Sequence, residues 1–469
     1  MISFNVPEFD KSLGIEFYVS SAPGIGGIIK YKTEDFIVEE INEQGIVYRS
    51  SLLGDFTPPP SPTTGPYVFT IIERWGLDHH ETIRLLCKKL NVKPSQIGIA
   101  GIKDRRAVIT QGLTIKGINP SDLQKINLRK IKILWTGFSL GPLRPGMLYG
   151  NQFTVCIRNI DSSSEHDLAN HIFSIIKEIE ELGGLANFYG YQRFGIPRAS
   201  SHLVGKYIVK SDFESAVMKF IGSPVIGEPK THIEARRTFD ETMDPVKTLK
   251  VMPRELHFER IVLKYLIKHP EDYVGALERL PKNLLRLFVE SYGSYIFNKF
   301  LSERVRNGLS LIETTDGDLI ALTDSHGYQS TRILIANKTI STSEANNLIR
   351  LGKAVLVITV PGYIVKLADG IQGEIQHKIL AEEKVRLKDF KVPALKKKLY
   401  VTGGYRQPLI NIENFSIVKI YNDDIFNGRK LMTIRFRLKR GSYATNLLRE
   451  IMKPKNHLSY VGIININKN

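Results

Sequence analysis

Ile97-Gly98-Ile99-Ala100-Gly101-Ile102-Lys103-Asp104-Arg105-Arg106-Ala107-Val108-Ile109-Thr110-Gln111 is the stretch on which the reading of this chain turns. Two apolar, β-branched runs flank a turn in which one carboxylate, Asp104, stands among three cations, Lys103, Arg105 and Arg106. Paired strands hold such a turn stiffly, so a group at its tip can be aimed at a ligand. The plain alternative is an exposed hairpin tip with solvated charges, and for any single Asp the pattern alone favours that alternative.

Upstream of the turn, Ile28 to Val47 alternates and predicts a strand, a turn at Thr33-Glu34-Asp35, and a second strand from Phe36. Pro58, Pro59, Pro60 and Pro62 then exclude helix and central strand, because proline fixes φ and lacks a donor. Tyr67 to Arg74 returns to strand character. Asp78 with Glu81 makes a capping box that opens a helix through Leu90. Cys87 lies beside Ile83, Leu86 and Leu90 on that helix and reads as a core filler, as does Cys156 in a strand-like run.

Downstream, strand-like and basic segments alternate from Leu113 to Arg158. Leu168, Ile172, Ile175, Ile176 and Ile179 fall at helical spacing, with Gly183-Gly184 as the stop. From about Ile196 to Tyr405 longer helices mix with short strands. The clearest helix carries the stripe Leu284, Leu285, Phe288, Val289, Tyr292, Ile296 and Phe300, and the clearest strand is Val355 to Val360. A last unit reads as a strand, Leu431 to Leu438, and a helix capped by Ser442, with Ser442, Thr445, Asn446 and Arg449 on one face.

A chain of 469 residues is too long for one ordinary core, so two or three domains are expected. Its 42% hydrophobic and 24% charged residues are ordinary for a soluble globular protein. The formal charge of +17 predicts a positive field suited to a polyanion, nucleic acid first. No apolar run approaches the roughly 20 residues that span a bilayer. Met1 to Glu8 lacks the order of a signal peptide, so a cytoplasmic protein with no membrane partner is expected. Two cysteines cannot build a disulfide framework or a four-ligand zinc site, and the eleven histidines form no H-E-x-x-H pattern. No metal is implied.

Ala100 to Ala107, followed by Thr110-Gln111, resembles the catalytic signature of the TruD-type tRNA pseudouridine synthase family. Four more segments match that family in order: Glu34-Asp35-Phe36-Ile37-Val38-Glu39-Glu40, Gly150-Asn151-Gln152-Phe153-Thr154-Val155, Asn187 to Gly195, and Gly441 to Glu450. The resemblance implies an α+β (mixed α/β) protein: a pseudouridine synthase catalytic domain with a mainly antiparallel sheet, interrupted by a large inserted TRUD-type domain. On this division residues 1–189 and 406–469 form the catalytic domain and 190–405 the insert, with RNA in a basic cleft between them. It also implies isomerisation of a uridine in RNA, uridine 13 of tRNA being the family's position, without a cofactor. A monomer is the default state.

Pseudouridine formation breaks the N1–C1′ bond of a uridine, turns the base over and rejoins it through C5. A carboxylate suits this, either trapping an oxocarbenium-like sugar or taking the 2′ proton to give a glycal. Asp104 is the candidate nucleophile or base. A cation beside it would lower its pKa by roughly 1 to 3 units. Arg449 is the candidate for that cation because the class pairs its Asp with a late basic residue; Lys30 and Lys103 are rivals. The base must be extruded and stacked, at about 1 to 3 kcal/mol per aromatic contact. Phe36 and Tyr443 occupy motif positions that the family assigns to substrate contact, Phe153 suits a place against the uracil, and Asn151 can bond to the Watson–Crick edge or hold the loop; each reads alternatively as a core aromatic or a turn asparagine. Lys30 and Arg105 join them as binding candidates. Arg105, Arg106, Arg193, Lys439 and Arg440 suit phosphate contacts. A C5 methyltransferase would need a loop cysteine, which neither cysteine supplies. The alternative from another class is a noncatalytic RNA-binding protein or chaperone on the same fold.

Overall fold

The computed structural model describes residues 2–55, 57–103, 105–324, 327–396 and 398–460. They divide into two compact units, one of residues 22–177 and 410–460, the other of residues 2–21 and 178–409.

The first unit is built on an eight-stranded sheet. The sheet strands and the helix packed against them are, in chain order, β1 (Phe36–Ile41), β2 (Tyr67–Trp75), α1 (His79–Leu90), β3 (Ile97–Ile99), β4 (Val108–Lys116), β5 (Ile131–Ser139) and β6 (Gly150–Ile160). After the other unit come β7 (Glu413–Asn422), β8 (Lys430–Lys439) and α2 (Ala444–Met452). The strand order is β7-β8-β6-β1-β4-β2-β5, and β3 pairs with β4 beyond the end of β1. Only β1 and β4 run parallel, with Ile37 opposite Val108, so the sheet is mainly antiparallel and the protein is α+β.

Sequence dictates this order through burial. β4 is flanked on both edges and is buried from Val108 to Ile115, which suits its β-branched run. Against one face, Leu86 of α1 packs with Ile72, Leu77, Leu113 and Ile131. Asp78 fixes the start of α1 by accepting the Glu81 amide at 2.8 Å. At Gly150 a side chain is excluded: a Cβ there would lie 2.2 Å from the Leu438 carbonyl oxygen of β8.

Two local expectations are corrected. Residues 28–32 form no strand, only a bridge from Ile28 to Arg158, because Gly26, Gly27 and Lys30 take φ of +66°, +91° and +58° and break the extended run. The final helix begins at Ala444 with Tyr443 as its N-cap, not at Ser442, since Gly441 turns the chain at φ +81° and delays the first turn. Its polar face is not wet: Thr445, Asn446, Arg449 and Glu450 are all buried.

The second unit centres on the helix Lys282–Arg306, which buries Leu285, Phe288, Val289, Tyr292, Ile296 and Phe300. The helix Ser201–Val209 packs against it. Strands Leu319–Thr323, Gln329–Ile335, Ala354–Val360 and Gly404–Arg406 make a four-stranded sheet. Near the helix end the buried Arg304 is held by Asp318 at 2.7 and 2.8 Å. Among the described residues no helix is long and apolar enough to cross a membrane.

Candidate active site

Strand alternation decides which side chains meet. Phe36, Val38 and Glu40 share one face of β1, and the antiparallel register sets them opposite Val155, Phe153 and Asn151 of β6. On the other side of β6, Ile434, Phe436 and Leu438 of β8 face the same three residues. β4 and β2 extend this face with Ile109, Gln111, Ile72 and Arg74. Phe153 stacks on Phe436 at 5.3 Å and meets the edge of Phe36 at 6.1 Å. The opposite face carries a buried polar set, in which Gln152 Nε2 donates to Glu39 Oε2 at 2.7 Å and Ser51 binds Glu73. Buried carboxylates persist only when partnered in this way.

The loop between β3 and β4 lies at the edge of the first face and is tied down at several points. Gly146 N donates to Ala100 O at 2.8 Å, and Gly76 N to Ala107 O at 3.1 Å. Lys103 Nζ reaches Glu40 Oε2 at 2.9 Å and Asn151 Oδ1 at 2.6 Å. Arg106 Nη2 donates to the Lys30 carbonyl at 3.1 Å. From β2 the buried Arg74 donates to Leu77 O, to Gln111 Oε1 at 3.4 Å, and to the Lys103 carbonyl at 3.4 Å. Asp104, the residue after Lys103, lies outside the described residues.

Of the residues expected from sequence, the contacts gather Lys30, Phe36, Asn151 and Phe153. Lys30 is buried, with Nζ 4.2 Å from the Phe36 ring centroid, a cation–π geometry. Its φ of +58° is uncommon for a non-glycine residue. Phe36 and Phe153 are 1% and 7% exposed, so their rings serve first as packing. Asn151 is half-buried. Arg105 is exposed and stands apart from this contact set. Tyr443 is half-buried at the cap of α2, and Arg449 is buried in its last turn.

Sequence reasoning passed over Glu40 and Arg74, and saw Lys103 only as a rival cation. The available signal was charge inside apolar strands, since such residues are buried only with partners. The Glu40 carboxylate also accepts the Gly112 amide at 3.2 Å. Burial, and then the Glu40 charge, push the Tyr48 hydroxyl above its ordinary range. Before β1, Arg158 grips Asp35 at 2.9 Å and Asp423 at 3.2 Å and reaches Asp424, holding the Thr33–Asp35 turn that leads into Phe36. Hydrogen bonds from Arg158 and Lys32 bring the Asp424 pKa down to about 2.

Residues 12–451 match the family model described as "tRNA pseudouridine synthase D (TruD)". A protein of Methanosarcina barkeri named "Probable tRNA pseudouridine synthase D" is 36% identical over 454 residues, covering 96% of this chain and 98% of its own. One of the same name from Methanosarcina acetivorans is 35% identical over 458 residues, covering 97% and 98%. A crystal structure of the Methanosarcina mazei protein that carries the TruD name superposes with a TM-score of 0.78 at 33% identity, covering 96% of this chain and 98% of that one. The chain belongs to the TruD family.

Proposed function

We propose that this protein is a tRNA pseudouridine synthase that isomerises a uridine of tRNA, uridine 13 by family resemblance, with Asp104 as nucleophile or base. Family membership over nearly the whole chain supports the activity and the tRNA substrate. The observation that carries the assignment of the site is the anchoring of the Asp104 loop: Lys103 is bonded to Asn151, and Arg106 to the backbone of Lys30. Lys103 and Arg106, which flank Asp104 in sequence, thus bond to the neighbourhood of Asn151 and Phe153, remote in sequence, and this supports the reading.

In this reading Asp104 attacks C1′ or removes the 2′ proton, and the departing uracil turns over against the Phe153 wall. Asn151 bonds to the edge of the base. Arg449, buried with the polar side of α2, favours the ionised carboxylate. The isomerisation leaves the atom count unchanged: the N1–C1′ bond breaks, the C5–C1′ bond forms, the proton at C5 departs to solvent and N1 takes one up. Exposed cations such as Arg105 attract the phosphate backbone without reading sequence. The test is to incubate the protein with unmodified tRNA transcripts and map pseudouridine by carbodiimide-dependent primer extension. A stop reporting position 13 is expected. Binding without any new stop would identify a noncatalytic RNA-binding protein, and a stop elsewhere would move the target.

A further inference from the structure

We infer that Lys103, braced by Glu40, fixes the direction of the Asn151 carboxamide and thereby makes the site select uracil over cytosine. This rests on the proposed reading that a pyrimidine base lies against Asn151. Glu40 and Asn151 are direct cross-strand partners on β1 and β6, so the spacing of their side chains is set by the sheet. Lys103, its side chain 6% exposed, spans them, with Nζ 2.9 Å from Glu40 Oε2 and 2.6 Å from Asn151 Oδ1. An ammonium has three donors and no acceptor. Asn151 must therefore show it oxygen, and its NH2 must point elsewhere. Reversal would set two donors against each other inside a nearly closed contact. Among the described residues this is the one hydrogen bond of the Asn151 side chain, so both Nδ2 hydrogens remain for a ligand.

A carboxamide free to turn over serves equally as donor or acceptor. One locked as a donor reads only acceptors. Uracil offers carbonyl oxygen where cytosine offers an amino group at position 4. A site whose polar group is fixed in one sense rejects the mismatched base because donor then faces donor. Glu40 supplies the countercharge that keeps Lys103 buried, and its other oxygen is held by the Gly112 amide at 3.2 Å. Lys103 is on this account a positioning residue: it acts through Asn151 and need not touch the reacting atoms.

The test uses the full chain in an Asp104→Asn background, so that no turnover intervenes, and two tRNA transcripts with uridine or cytidine at the modified position. The parent is expected to bind the uridine transcript at least tenfold more tightly. Lys103→Met should erase most of that ratio, and Lys103→Arg, still donor-only, should keep it. Asn151→Asp retains a partner for Lys103 while presenting acceptors to the base, and should turn the preference toward cytidine. That variant decides the matter if Lys103→Met fails to fold. A parent without base preference would overturn the underlying placement of a pyrimidine at Asn151. A clear parental preference that survives in a folded Lys103→Met variant, or in Asn151→Asp, would overturn the inference alone.

Discussion

Replacing Arg74 by methionine removes a buried guanidinium while keeping a long apolar stem. Arg74 is 1% exposed and donates to Leu77 O, Gln111 Oε1 and Lys103 O. A hydrogen bond from a charged group contributes about 1.5 to 3 kcal/mol. The two bonds at 3.4 Å stand at the weak end of that range, and methionine recovers part of the packing, so a stability loss of about 3 kcal/mol is expected. One of these acceptors, the carbonyl of the residue preceding Asp104, links Arg74 to the proposed catalytic loop. If that bond is worth about 1.5 kcal/mol in holding the loop, its loss lowers the fraction of productive geometry, and hence kcat, by about tenfold. KM should move less than about twofold, because Arg74 is buried and out of reach of a polyanion in solvent. Urea unfolding gives the first quantity, and single-turnover tritium release from C5-labelled uridine in tRNA the second. Arg74→Lys should recover part of kcat, since an ammonium reaches one acceptor but lacks the fork. A destabilised Arg74→Met variant with unchanged kcat would refute the reasoning and leave Arg74 a stability residue only.

Other expectations follow from the same contacts. Gly150→Ala should destabilise by more than about 2 kcal/mol, because its Cβ would lie 2.2 Å from Leu438 O; urea unfolding decides. His202 is buried between Phe194 and Tyr295, and burial first, then Lys206 and Lys219, lower its pKa to about 4. A depressed His stays neutral when folded while the unfolded chain takes up a proton below about 6.5. Stability is therefore whole above pH ~6.5 and falls by about 3 kcal/mol as pH drops to ~4. The difference between wild type and His202→Leu in unfolding free energy across that window should show this slope; parallel profiles would contradict it. Arg105→Ala should weaken tRNA binding evenly across sequences and reduce the slope of log K against log salt by about 0.7 to 0.9, measured by filter binding.

How much of this was legible in the sequence depends on how local each feature is. Helix His79–Leu90 could be read because its cap, Asp78 to the Glu81 amide, is a contact three residues apart. The stripe from Leu285 to Phe300 showed because one helix face carries it. The Ile28 strand failed where Gly26, Gly27 and Lys30 adopt positive φ, Gly27 pressing close against Ile157 and Arg158 of β6. Ser442 looked like a cap because capping chemistry is common to serine, yet the turn at Gly441 sets the frame. At the site, motif residues could be named, but their partners could not. Lys103 finds Glu40 and Asn151 only through the register of β1 on β6, which no spacing along the chain reveals. Likewise a phenylalanine in a motif does not announce whether its ring is free or, as for Phe36, enclosed.

The central claim is that the carboxylate of Asp104 carries the isomerisation. Tritium release from C5-labelled uridine in tRNA, followed for wild type and Asp104→Asn with tRNA affinity measured alongside, tests it most directly. The account predicts release that disappears in the variant while affinity stays within about threefold. Release at the wild-type rate from Asp104→Asn would contradict it.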